Sequence, residues 1–159
     1  MLRAVSSEDF DFIYTLYMDD SVNPYMSFEK ISKQAFQEAF EMLNARDEFL
    51  ILEEKGEMKG AVTLMLGKWR KAHVASIGSL AVHSNYQKQG VGTRLLETVI
   101  SRLENKQIRR VELIVESDNP GAIALYEKFG FQVEGTLRNY FKRESDAKPI
   151  DDFMMARLI

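Results

Sequence analysis

Residues 74 to 103 carry the pattern that most restricts the fold: VASIGSLAV, the polar loop HSNYQKQ, then GVGTRLLETVISRL. The first run is apolar at nearly every position, as expected of a central strand covered on both faces. The last run lines up Val91, Leu95, Leu96, Val99, Ile100 and Leu103 on one broad helical face. Glycine is costly inside a helix, so Gly90 and Gly92 at its start point to close approach of the backbone by something, or to a tight turn. Successive N–H groups at such a start, with the positive end of the helix dipole, can surround a phosphate group. Lys88 or Arg94 can add charge. A dinucleotide fingerprint needs a third glycine where Leu95 stands, and a triphosphate loop needs Gly-Lys followed by Ser or Thr, which the chain lacks.

The flanking sequence reads as alternating elements. LRAV (2–5) suggests a short strand, and Ser6 or Ser7 suits the cap of a helix with Phe10, Ile13, Leu16 and Tyr17 on its buried side. A second helix is expected near 29–45, with Ile31, Phe36, Phe40 and Leu43 as its stripe. FLILEE (49–54) and KGAVTLML (59–66) read as a hairpin joined by KGEM. VELIVE (111–116) is a further strand. NPGAIALYEKFGF (119–131) is a punctuated helix: Asn119 suits the N-cap, Pro120 the first position and Gly130 the left-handed stop. FQVEG (131–135), TLRNYFK (136–142) and FMMARL (153–158) are the last strand candidates. The order βααβββαβαββ, hairpins first and a strand–helix–strand crossover later, predicts a mixed α/β or α+β sheet with helices on both faces.

No repeat or linker interrupts the 159 residues, which read as one domain over 1–159. The net charge of −3 argues against general nucleic-acid binding. With no cysteine there is no disulfide, thiolate metal site or cysteine nucleophile. The two histidines, His73 and His83, lack carboxylates at ligand-like spacing, so no metal is expected. The N-terminus has no apolar leader-like region and no apolar run suits a membrane span, so a cytoplasmic location away from membranes is expected.

Gln87-x-x-Gly90-x-Gly92 after a strand is followed, 32 positions beyond Gln87, by Asn119-Pro-x-Ala-Ile-x-Leu-Tyr126-x-x-x-Gly-Phe131. These paired motifs closely resemble the GNAT superfamily of N-acetyltransferases. The resemblance is strongest over residues 74 to 135, and EGTLRNYFKR with IDDFMMARL looks like the amino-acid and ribosomal-protein-alanine branches. It implies a single-domain, mostly antiparallel twisted sheet and acetyl-CoA as co-substrate. The cofactor would lie where the strand before the glycine loop splays from the next. Leu80, Ala81 and Val82 would offer backbone groups to the pantetheine arm. The amides of Gln87, Lys88, Gln89, Gly90, Val91, Gly92 and Thr93 would hold the pyrophosphate, and Asn119 would contact the cofactor near the pantetheine. A backbone N–H at the splay would stabilise the oxyanion, by about 3 kcal/mol in comparable sites.

By the same resemblance Tyr126 is the candidate general acid, a phenol able to protonate a departing thiolate. As a sequence feature it is equally a packing residue, since Ala122, Leu125, Tyr126 and Phe129 share a helical face. In some members of that family a glutamate twelve positions before the tyrosine is the base, and that position here is Ile114. Glu112 and Glu116 share its face by alternation, and His83 ends the buried strand, so the base stays unassigned, with a water relay open. Acceptor selection is expected from segments 18–30, with Asp19, Asp20, Tyr25 and Phe28, and 138–152, with mixed charges. The implied activity is acetyl transfer from acetyl-CoA to a primary amine, either a small molecule such as an amino acid or polyamine, or a protein N-terminus. Homodimers are common in the family. A non-catalytic acyl-CoA-binding or sensing module, and a structural protein whose glycines only shape a turn, are the alternatives.

Overall fold

Two consecutive left-handed residues, Lys55 (φ 55) and Gly56 (φ 78), close the first hairpin, the geometry that matches the twist of paired strands. The turn is therefore two residues rather than KGEM, and Glu57 and Met58 belong to the second strand. The computed structural model describes all 159 residues. Its strands are β1 Leu2–Ala4, β2 Glu48–Glu54, β3 Glu57–Leu66, β4 Val74–Val82, β5 Arg110–Glu116, β6 Gln132–Phe141 and β7 Ile150–Leu158. Its α-helices are α1 Phe10–Met18, α2 Lys33–Asn44, α3 Val91–Asn105 and α4 Pro120–Lys128. The chain order is the expected βααβββαβαββ, and the seven strands form one sheet in the order β1-β2-β3-β4-β5-β7-β6. None of the helices is long and apolar enough to cross a membrane.

The chain divides into two compact units, Met1–Met65 with Ile77–Ser101, and Leu66–Ser76 with Arg102–Ile159. In the first, β1, β2 and β3 pair antiparallel, and α1 and α2 cover them with an aromatic cluster. Tyr17, Phe36, Phe40 and Phe49 are buried, with Phe10 and Phe28 packed alongside. Most of their rings meet at tilted or edge-on angles, Phe10 against Phe40 at 5.1 Å for example, while Tyr17 and Phe49 stack at 6.4 Å. Helix α2 begins later than expected, because Ser32 caps it by accepting from the Ala35 N–H. Ile31 still joins the cluster, from just outside the helix.

In the second unit β7 is the middle of an antiparallel trio, flanked by β5 and β6. FQVEG and TLRNYFK form one strand, not two: Val133 pairs with Met155 and Gly135 with Met154, so Glu134 is a bulge residue inside a continuous β6. Strand β7 starts at Ile150, earlier than FMMARL implied, which brings Asp152 into register with Glu116. Val111, Leu113 and Val115 make the buried face of β5, and Met155 and Ala156 are buried on β7.

A polar knot fixes the entry to α1. Arg3 donates to both carboxylate oxygens of Asp9 at 2.8 Å and to Glu53 at 2.7 Å, while the Ser6 backbone N–H also donates to Asp9. Asp9 is 5% exposed, and the Arg3 hydrogen bonds hold its carboxyl down at about 2 from an ordinary 3.8. The unfolded chain therefore binds this proton first as pH falls, so the contribution is complete above about pH 4 and lost towards pH 2. Asp9→Asn is expected to cost on the order of 2 kcal/mol at pH 7 and to flatten that acid limb, as read from urea midpoints at several pH values.

Candidate active site

Strand β4 does not run as the uniformly covered strand expected from its composition. Ala75, Ile77 and Ala81 are buried, whereas Val74, Ser76, Gly78, Ser79, Leu80 and Val82 are only partly so. Residues 74–78 alternate as in a strand with one face covered, and the alternation lapses at Ser79, whose φ of 48 is left-handed. The hydroxyl of fully buried Tyr17 donates to the Ser79 carbonyl at 2.9 Å and so holds the kink. Tyr17 is thus committed to structure, and burial raises its phenol far above the ordinary range.

Beyond the kink, Leu80, Ala81 and Val82 lead through the short turn Ser84–Tyr86 into the glycine loop. Lys88 (φ 59) and Gly90 (φ 76) are both left-handed, and only at Gly90 does the residue type remove the steric cost. The Gly90 carbonyl accepts from the Arg94 N–H, which opens α3 and leaves the N–H groups of the first helical turn without helical acceptors. Gln87 through Thr93 thus lie together at one helix start, as the sequence implied. The Gln87 amide is the exception among the expected donors, since it donates to the Ser84 carbonyl at 3.3 Å. The Gln87 side chain instead ties the loop down, donating to the Val82 carbonyl and to Ser21 Oγ, both at 2.9 Å. Arg94 is bound by Glu54, with contacts of 2.9 and 3.0 Å, and this ion pair takes Glu54 down to about 2. Lys88 is the exposed cation of the loop. A left-handed glycine at the start of a fifteen-residue helix, with unpaired amides and a lysine, suits an anionic group such as the pyrophosphate of acetyl-CoA.

Several acceptor-side candidates of the first unit prove to have structural duties. Asp19 accepts from Ser21 and from Ser84 Oγ, the latter at 2.6 Å, and these bonds lower its pKa. Asp20 pairs with Lys30, and Phe28 packs into the aromatic cluster. His83 is a turn residue: its Nδ1 accepts from the Asn85 N–H at 3.2 Å, and its ring stacks on Phe12.

The remaining candidates lie in the second unit, Glu112, Ile114 and Glu116 along β5 and Asn119 and Tyr126 on the helix that follows. Asn119 caps α4, its side-chain oxygen accepting from the Ala122 N–H at 3.2 Å, and its backbone N–H donates to the Glu116 carbonyl. Tyr126 is 7% exposed, with its ring 5.7 Å from that of Phe131. Burial, and then the charge of Glu116, push its phenol upward, so it stays protonated through the neutral range. Of its supposed face partners, Ala122, Leu125 and Phe129 are only partly buried.

Ile114 is 41% exposed and offers no base. Glu112 is engaged by Arg110 at 3.0 Å and by Ser76 at 3.3 Å. Glu116 differs from both. Burial foremost, and then Asp152, raise it to about 7, against the opposing pull of its own backbone amide, Asn119 and Arg143. Asp152, buried and in register with Glu116 across β5 and β7, is also pushed upward, by burial and then Asp118. Its involvement was hidden in the sequence because the strand was expected to begin after it. The nearby cation, Arg143, gives two bonds to Asp118, at 2.9 and 3.0 Å, and one to Asp146.

Residues 10–131 match the sequence profile of the acetyltransferase (GNAT) family. The chain belongs to the GNAT acetyltransferase family. The L-amino acid N-acetyltransferase AaaT of Escherichia coli K12 is 34% identical over 105 residues, 65% of this chain and 63% of that one. The ribosomal protein bS18-alanine N-acetyltransferase of the same strain is 42% identical over 67 residues, 42% of this chain and 45% of that one. Both matches span less than two thirds of the relative. The crystal structure of the ribosomal-protein-S18-alanine N-acetyltransferase from Escherichia coli superposes on the whole chain with a TM-score of 0.77 at 26% identity, covering 93% of that protein.

Removing the Tyr17 hydroxyl leaves the Ser79 carbonyl without its donor. Tyr17→Phe is expected to lower stability by about 1–2 kcal/mol without loss of the aromatic packing, as measured by chemical denaturation.

Proposed function

We propose that residues 1–159 are one acetyl-CoA-dependent N-acetyltransferase domain, moving the acetyl group to a primary amine by direct attack with both reactants bound. The observation that carries this reading is the opening of α3, where left-handed Gly90 and the unpaired amides of the first turn form an anion cradle. Family membership gives the cradle its ligand class. Acetyl-CoA supplies a thioester, an acyl group already activated towards an amine.

In this reading the backbone of Leu80, Ala81 and Val82 lies along the pantetheine arm, and the amides from Lys88 to Thr93 hold the pyrophosphate. Gln87 positions that loop through its bonds to Ser21 and Val82. Asn119 borders the cofactor at the start of α4. Tyr126, held protonated by burial and by Glu116, gives its proton to the leaving thiolate. With no cysteine in the chain, a cysteinyl acyl-enzyme has no place in the route. The acceptor is a small amine, such as an amino acid or polyamine, or a protein N-terminus. Relatives named for amino-acid and ribosomal-protein-alanine acetylation support that range. The cytoplasm, which supplies acetyl-CoA and free amines, is its place of action.

Thiol release from acetyl-CoA across a panel of amines and N-terminal peptides, with products identified by mass spectrometry, tests the proposal. Turnover with at least one amine is expected, and Tyr126→Phe should lower kcat by about 100-fold while leaving acetyl-CoA affinity within twofold. Tight acetyl-CoA binding with no acetylated product would mark a binding module instead, and unchanged turnover in Tyr126→Phe would remove that residue from the chemistry.

A further inference from the structure

Glu116 and Asp152 stand directly opposite each other on neighbouring antiparallel strands, so their side chains leave the sheet on the same face. Like charges at such positions repel, and burial strengthens the repulsion. Asp152 is 2% exposed, and its Oδ1 is buried without a hydrogen-bond partner. An orphaned carboxylate oxygen is costly, and natural proteins rarely leave one without a ligand, a water or a proton to fill it. Arg143 directs guanidinium bonds to Asp118 and Asp146 and acts on Glu116 and Asp152 through its charge. Glu116, Asp118, Asp146 and Asp152 thus share the charge of Arg143, and a further cation at the pair would offset the remainder.

We propose that Glu116 and Asp152 form the docking and proton-accepting pair for the acceptor amine. This inference rests on the acyl-transfer reading and supplies the base that Ile114 does not. The substrate ammonium donates N–H bonds to the two carboxylates and gives one proton to Glu116. That proton stays shared with Asp152, which satisfies the orphaned oxygen. The neutral amine nitrogen then attacks the thioester carbonyl carbon. The N–C bond forms, the C–S bond breaks, and the electron pair leaves on sulfur. The sulfur takes a proton from Tyr126, which is replenished by the second proton lost from nitrogen. The proton on the pair returns to solvent, so one amide, one thiol and one proton result.

The groups that set the pair's titration are all at hand. Asp118 and Asp151 add negative charge near Asp152, Arg143 opposes them, Asn119 hydrogen-bonds Glu116, and the Tyr126 phenol stays neutral beside it. Because Glu116 titrates at about 7, the accepting form grows as pH rises through neutrality, and kcat/KM should climb over that range. Removing the Asp152 charge relieves the repulsion on Glu116, which moves this limb towards acid.

The test uses the full chain, with alaninamide and 1,4-diaminobutane as probes. Glu116→Gln is expected to lower kcat/KM at pH 7 by about 100-fold or more and to abolish the rising limb. Asp152→Asn should weaken amine binding at least tenfold in calorimetry and shift the limb to lower pH, a change that mere loss of packing would not produce. Acetyl-CoA binding, retained in both variants, reports that they are folded. Wild-type binding of either amine without turnover, lost in both variants, would overturn acyl transfer but uphold the cation-binding pair. Turnover and pH profile unchanged in Glu116→Gln would overturn the pair and uphold acyl transfer, while absence of both binding and turnover in the wild type would overturn both.

Discussion

The bond from the Tyr17 hydroxyl to the Ser79 carbonyl is the contact on which the first unit depends. A strand that turns left-handed at a serine loses its regular alternation at that point, and the left-handed conformation is itself unfavourable for a residue with a Cβ. Here an aromatic cluster built on α1, α2 and β2 stabilises the deviation by delivering one buried hydroxyl to one carbonyl. From the kink the chain runs through Leu80–Val82 to the loop that Gln87 ties back to Val82. The loop is therefore held by contacts made before the helix begins, and the amides from Lys88 to Thr93 take no part in holding it.

The second unit solves a different problem. Its β5–β7 pairing sets two carboxylates opposite each other, a destabilising arrangement retained at the start of the helix that carries Tyr126. Like charges brought together at a strand end oppose folding, and partly buried Glu116 beside buried Asp152 is a pair whose proton affinities are raised. The environment separates the duties of the carboxylates: Glu112 stays with Arg110 and Ser76, Asp118 stays with Arg143, and Glu116 is left with a proton affinity near neutrality. Burial raises Glu116 and keeps Tyr126 protonated, so the proposed base and acid lie within one unit.

Element order was readable from sequence because hydrophobic periodicity and helix punctuation are local. The six apolar positions from Val91 to Leu103 are all buried, and Asn119, Pro120 and Gly130 play the roles their chemistry suggested. Less legible were features set by pairing between distant segments. Gly135 looked like a break between strands because a bulge at Glu134 cannot be told from a turn without its partner strand. Asp152 read as a loop residue because Ile150 and Asp151 join β7 only through cross-strand bonding. Asp19 and Asp20 read as loop charges able to frame an amine, and the serine hydroxyls and Lys30 that engage them are contacts that no spacing rule reveals. Glu116 was visible as one of two face-sharing glutamates, but only the register across β7 distinguishes it from Glu112.

The central claim is that the start of α3 receives the pyrophosphate of acetyl-CoA through backbone amides. Hydrogen–deuterium exchange of the full chain, followed residue by residue with and without acetyl-CoA, measures those amides directly. The account predicts that exchange at Lys88 to Thr93 slows at least tenfold on binding, with a smaller change at Gln87, whose amide is already bonded to Ser84. Acetyl-CoA binding that leaves exchange at Lys88 to Thr93 unchanged would contradict it.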